Sequence, residues 1–150
     1  MKIKMANEND IQNCVSELMI AMNEFSEFKV KGVFVTAKHY EQLVNLCIKN
    51  GMVILAEDNN KIVGSIMGLL NTNIVTGLNE LITTINWVHP NRRNSSIFYR
   101  MHKLYEREYK KLKQQNKIDR VLMASLPNKT NIKFEKLGYQ VAETTYEWRS

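Results

Sequence analysis

The stretch Ile85-Asn86-Trp87-Val88-His89-Pro90-Asn91-Arg92-Arg93-Asn94-Ser95-Ser96-Ile97-Phe98, continued through Leu112, decides how the rest of this chain is arranged. It reads as an apolar strand, a turn of Arg, Asn and Ser, and a long helix. Pro90 ends the strand because it brings no N–H to a ladder. A helix starting near Asn94 leaves its first backbone N–H groups without an intrahelical acceptor. Anions settle at such a helix start, and Arg92 and Arg93 set two positive charges beside it. The turn is therefore expected to hold the phosphates of a nucleotide-like ligand. Asn94, Ser95 and Ser96 are equally the ordinary residues of a helix cap, so the rest of the chain has to decide.

Downstream in the helix, Ile97, Met101, Leu104, Tyr105, Tyr109 and Leu112 form an apolar stripe opposite the charges. Asp119 to Leu126 is a further apolar strand. Strand, long helix and strand require a crossover and hence a parallel pair. Pro127, Asn128 and Thr130 open a short helix that stops at Gly138, and Tyr139 to Arg149 reads as a last strand.

Upstream, Met52–Glu57 and Lys61–Leu70 are apolar runs separated by Asp58-Asn59-Asn60, residues that tolerate positive φ, which predicts an antiparallel hairpin. Gly64 and Gly68 inside the second run suggest close approach by something else, or a kink. Further back, Thr36 caps a predicted helix over Ala37–Lys49. Asn7 or Asn9 caps another, whose apolar positions include Ile11, Val15 and Leu18. Ile3 to Met5 is a short first strand, and Asn23 to Val35 is mixed. The whole is an α/β (α+β) chain with a mixed sheet and helices on both faces.

The chain has 150 residues, 44% of them hydrophobic and 24% charged, which suits a single globular domain over 1–150. No apolar run is long enough to span a bilayer and no secretory leader opens the chain, so a cytoplasmic location is expected. Cys14 and Cys47 lie among apolar neighbours in predicted helices and read as small buried residues. His39, His89 and His102 have no ligand spacing, and no metal site is expected. The net charge of +6 is uneven: nine Lys or Arg against two Glu fall between Arg92 and Lys117. A basic face of this kind suits phosphates, or is simply a solvated helix surface.

Three patterns then resemble the GNAT superfamily of acyl-CoA-dependent N-acyltransferases. Trp87-Val88-His89-Pro90-Asn91-Arg92-Arg93 resembles the family's strand end. Arg93-Asn94-Ser95-Ser96-Ile97-Phe98 falls on its Arg or Gln, two variable residues, Gly, one variable residue, then Gly or Ala. Lys133-Phe134-Glu135-Lys136-Leu137-Gly138-Tyr139 is similar to its aromatic, Glu, Lys, Leu, Gly, aromatic sequence. Small acetyltransferase-like proteins of bacteriophages are the particular resemblance.

The resemblance implies a mainly antiparallel sheet of about six or seven strands. It also implies acetyl-CoA as co-substrate, with no metal, and direct acyl transfer to an amine. The pantetheine arm would run beside Ile85, Asn86, Trp87 and Val88. The pyrophosphate would lie on the amides of Arg93, Asn94, Ser95, Ser96, Ile97 and Phe98. By analogy Glu80 is the carboxylate that takes a proton from the acceptor; otherwise it is an exposed strand-edge charge. Ser125, Tyr139 and Tyr146 are further polar candidates at strand ends.

Two departures from the pattern stand out. Phe98 takes a place reserved for a small residue, so its ring must point away from the ligand or narrow the site. Phe134 stands where many members carry a tyrosine able to protonate the departing thiolate. The alternatives are a degenerate member that binds a protein partner and a bacteriophage DNA-modifying protein. Nucleic acid is not favoured, because no aromatic-and-basic constellation accompanies the charge. A homodimer is compatible with the sequence.

Overall fold

The computed structural model describes residues 1–24, 36–124, 132–144, 146 and 148, and of residues 18–24 the backbone alone. Among these, one sheet holds five strands in the order β1-β2-β3-β4-β5. They are β1 (Lys2–Met5), β2 (Gly51–Asp58), β3 (Lys61–Thr72), β4 (Asn79–Val88) and β5 (Arg120–Met123). Neighbours pair antiparallel until β5, which runs parallel to β4. Asn59 and Asn60 turn the β2–β3 hairpin with φ of 50° and 61°, the left-handed geometry a tight hairpin needs.

Among the described residues three α-helices flank the sheet: α1 (Ile11–Glu24), α2 (Ala37–Lys49) and α3 (Ile97–Gln114). Asn7 caps a 3-10 turn that leads into α1, and Thr36 Oγ1 accepts the His39 N–H at the start of α2. One core lies between the sheet and α1 and α2, where Cys14, Val44 and Cys47 meet Val53, Leu55, Met67, Ile85 and Trp87. The other lies beneath α3, where Ile97, Phe98, Met101 and Tyr105 meet Ile54, Ile66 and Leu81.

The glycines of β3 mark where α3 crosses it. A Cβ at Gly64 would stand 2.8 Å from Met101 Cε, and one at Gly68 would overlap the Tyr105 hydroxyl. The close approach anticipated at these positions is that of α3 itself. No helix among the described residues is long and apolar enough to cross a membrane.

Three expectations are corrected. The sheet has five strands among the described residues rather than six or seven. Residues 139–144, expected to be strand, pair with no other strand, while 145, 147, 149 and 150 lie outside the described residues. α3 begins at Ile97 rather than near Asn94, because Pro90–Arg92 forms a 3-10 turn and Asn94 takes a left-handed φ of 66°. The strand expected over Asp119–Leu126 shortens to Arg120–Met123. Of the helix expected from Pro127, residues 127–131 lie outside the described residues. Phe134–Leu137 is a 3-10 turn ended by Gly138 at φ 89°.

Candidate functional site

A register shift in β4 creates the site's main feature. Met67 pairs with Ile85 and Gly68 with Thr83, which leaves Thr84 as the extra residue of a β-bulge. The bulge resets the alternation of side chains. Thr83 faces α3, where its Oγ1 lies 3.0 Å from Tyr105 Oη. Thr84 and Ile85 both turn to the α2 face, Thr84 Oγ1 lying 3.7 Å from Cys47 Sγ and Ile85 in that core.

β5 accompanies β4 only from Glu80 to Thr83. Beyond the bulge, no described strand covers the far edge of β4. The His89 N–H donates to Val63 C=O across 2.8 Å, so main-chain groups of odd-numbered residues here face β3. By alternation, Asn86 and Val88 present theirs to the open edge. The Val88 carbonyl accepts from Arg93 Nε at 3.0 Å. Asn86 N–H and C=O and Val88 N–H have no partner among the described residues. Among the described residues β4 thus runs on beyond its pairing with β5 at Thr83, a fork in the pairing with a buried hydroxyl pair at its apex.

The turn after β4 folds back on itself. His89 Nδ1 accepts the Asn91 N–H at 3.2 Å. Ser95 Oγ donates to the Arg92 carbonyl and accepts from the Ile97 N–H. Ser96 caps α3 without a side-chain hydrogen bond. The first-turn amides of Ser96, Phe98 and Tyr99 have no acceptor among the described residues, as expected at a helix start. Arg92 Nη2 pairs with Asp58 Oδ2 at 2.6 Å, so this cation is tied to the β2–β3 hairpin. Arg93 is held along the strand end through Val88.

The Phe98 ring points away from the turn. It is 4% exposed and packs on Tyr99, His102 and Phe134, with centroids 5.4, 5.7 and 6.2 Å away. Tyr139 joins this cluster, its Oη 2.8 Å from His102 Nε2. Burial lowers the affinity of His102 for a proton, only partly offset by Glu106. Burial likewise pushes the Tyr105 and Tyr139 phenols above their ordinary range.

Glu80 is 1% exposed, which overturns the reading of an exposed edge charge. Its Oε2 accepts from Arg120 Nε at 2.8 Å across the β4–β5 pair, and the residue borders a cavity of about 140 Å³ with Asn71, Thr72 and Lys117. Ser125 lies outside the described residues, and Tyr146 is 89% exposed. The sequence-predicted residues thus divide. Asn86 and Val88 turn main-chain groups to the open edge of β4, Val88 C=O being taken by Arg93, whereas the Ile85 and Trp87 side chains lie in the core beneath α1 and α2. Thr83 and Arg120 were not singled out from the sequence, and Tyr105 was read there only as part of the apolar stripe of the long helix. Gly68, which makes room for Tyr105, was the signal that could have found two of them.

No protein-family model and no curated protein sequence matches the chain. Solved structures do. A predicted acetyltransferase of Clostridium acetobutylicum, crystallised with acetyl-CoA, superposes with a TM-score of 0.69 at 18% identity, over 99% of this chain and 95% of that one. An aminoglycoside acetyltransferase from an uncultured soil metagenomic sample, in complex with sisomicin, gives 0.65 at 18% identity over 99% and 96%. A transcriptional regulator of Bacillus halodurans C-125 gives 0.67 at 14% identity over 99% of both. At such identities the likeness is one of fold, the fold of GNAT-type acetyltransferases.

Proposed function

We propose that this single domain over residues 1–150 is an acyl-CoA-dependent N-acyltransferase, most simply one that moves acetyl from acetyl-CoA to an amine. The observation that carries the reading is the fork in the sheet. The Thr84 bulge and the end of β5 pairing at Thr83 leave Asn86 and Val88 with main-chain groups facing outward, next to the open amides of α3. An amide-bearing pantetheine arm matches the first feature and a pyrophosphate the second. The buried Phe98 ring leaves the turn clear of its bulk.

When bound, acetyl-CoA supplies a carbonyl already activated as a thioester, so the chain's own residues position it and manage protons. Asn86 and Val88 orient the arm. The amides at Ser96, Phe98 and Tyr99 hold the anion, and Arg93 stiffens the strand end beside it. Glu80, oriented by Arg120, takes the proton that the acceptor amine must lose. A thiol ionises within about two units of neutrality, so Phe134 in place of a hydroxyl slows departure without forbidding it.

Acetyl-CoA should raise the melting temperature, because a ligand bound by the native state alone stabilises it by about 2.7 kcal/mol at a hundredfold excess over Kd. The Arg92→Ala/Arg93→Ala variant should show a smaller rise. No rise at millimolar acetyl-CoA would end this reading. A rise without acylated products, sought by untargeted mass spectrometry in cells making the protein, would favour a non-catalytic binding module. The mutual packing of Phe98 and Phe134 is the observation on that side. The bacteriophage resemblance rests on Arg93-Asn94, Arg100 and the Lys136–Tyr139 run alone, and a DNA acceptor has no support beyond the basic helix.

A further inference from the structure

On the side of the sheet away from the fork, β1 is the edge strand among the described residues. The Ala6 N–H donates to Val53 C=O at 2.8 Å, and the register runs Lys4 against Leu55 and Lys2 against Glu57. Even-numbered residues therefore bond inward, and Ile3 and Met5 turn their N–H and C=O groups to the open edge. Those two residues, with Leu104 of α3, line a groove of about 800 Å³ between β1 and the helix. Met5 is 45% exposed although apolar.

The helical wall of this groove is cationic. Arg100, Lys103, Arg107 and Lys110 recur at helical spacing and all line it. Arg100 and Lys103 pair with no acid among the described residues. Glu106, the one acid in the lining, is taken by Lys110 at 3.0 Å, and Arg107 pairs with Glu108 at 3.2 Å. Lys4 is already matched by Asp10 and Glu57. Ten residues of helix cover about 15 Å, the reach of four or five residues of extended chain.

We propose that this groove binds an extended acidic peptide of a partner protein, which adds to β1 as a sixth strand. Outward donors and acceptors on Ile3 and Met5 suit a peptide main chain, and the apolar floor takes every second side chain. Carboxylates on the partner answer Arg100 and Lys103, the cations of the stripe that no described acid holds. A second copy of this chain would bring the same stripe against its own, and like charges oppose that pairing. A nucleic acid would answer the charge, but the lining offers no aromatic ring on which a base could stack.

The test uses the full chain and a fluorescein-labelled, end-blocked octapeptide alternating valine and glutamate, followed by fluorescence anisotropy. The peptide should bind, and the Arg100→Glu/Lys103→Glu variant should bind it about tenfold more weakly while melting at an unchanged temperature. Amide hydrogen exchange at Ile3 and Met5 should slow about tenfold on binding, since both point outward in the free protein. Three outcomes would each overturn the proposal: no binding by the peptide, binding that leaves those two amides exchanging at their free rates, or tighter binding of an oligothymidylate of equal length. Acetyl-CoA binding at the fork should be the same with and without the peptide-binding substitutions.

Discussion

His102 and Glu80 show how single residues tie the site to its surroundings. His102 sits among Phe98, Tyr105 and Tyr139, and burial outweighs the pull of Glu106, so the folded chain holds the ring neutral to a lower pH than the unfolded chain does. The unfolded state then binds more protons below its own value near 6.5. The stability tied to His102 is complete above about pH 6.5 and declines as pH falls through the folded value. Urea midpoints measured between about pH 7.5 and 5.5 should fall with acidity, and His102→Gln should flatten that slope. Glu80→Gln keeps an acceptor for Arg120 but cannot take a proton. If Glu80 is the base, kcat/KM drops by about a hundredfold with the melting temperature little changed. A variant of full activity would move Glu80 out of the chemistry and leave it as a brace between β4 and β5.

At the scale of elements, α3 and β3 fit because one has large side chains where the other has none. Gly68 lies opposite Thr83 at the register shift, and Tyr105 fills the space above it while holding the Thr83 hydroxyl. Gly68→Ala should therefore push Tyr105 away, costing about 1–3 kcal/mol by overpacking, as chemical denaturation would measure. It should also weaken the acetyl-CoA shift more than an equally destabilising change in α2, because it disturbs the apex of the fork. The hairpin at Asn59-Asn60 and the crossover from β4 to β5 were legible in the sequence, since turn residues and periodicity act locally. The bulge was not: Thr84 has nothing in its neighbourhood along the chain to mark it, and only the pairing of β3 with β4 reveals it, with Tyr105 on Thr83 and Cys47 on Thr84 from opposite faces.

For the molecule as a whole, the core between the sheet and α1 and α2 accounts for the fate of the cysteines. Cys14 and Cys47 are both fully buried and unpaired, and burial pushes the Cys14 thiol up to about 12. Neither should react with a thiol reagent such as dithionitrobenzoate in the native protein, and both should react in denaturant. A fast-reacting native thiol would mean that the α1–α2 face opens readily. What the amino-acid order determined by itself was the succession of elements as far as β5, the mixed sheet with helices on both faces, and the cap-rich turn after Pro90, because those depend on patterns within about twenty residues. What only the tertiary structure decided was where β4 and β5 part, that Glu80 is buried against Arg120 forty positions away, that Arg92 is drawn to Asp58, and that the Phe98 ring leaves the turn for the core. Each of these is a contact between distant parts of the chain, and the free energy that selects it exists only once the sheet has brought those parts together.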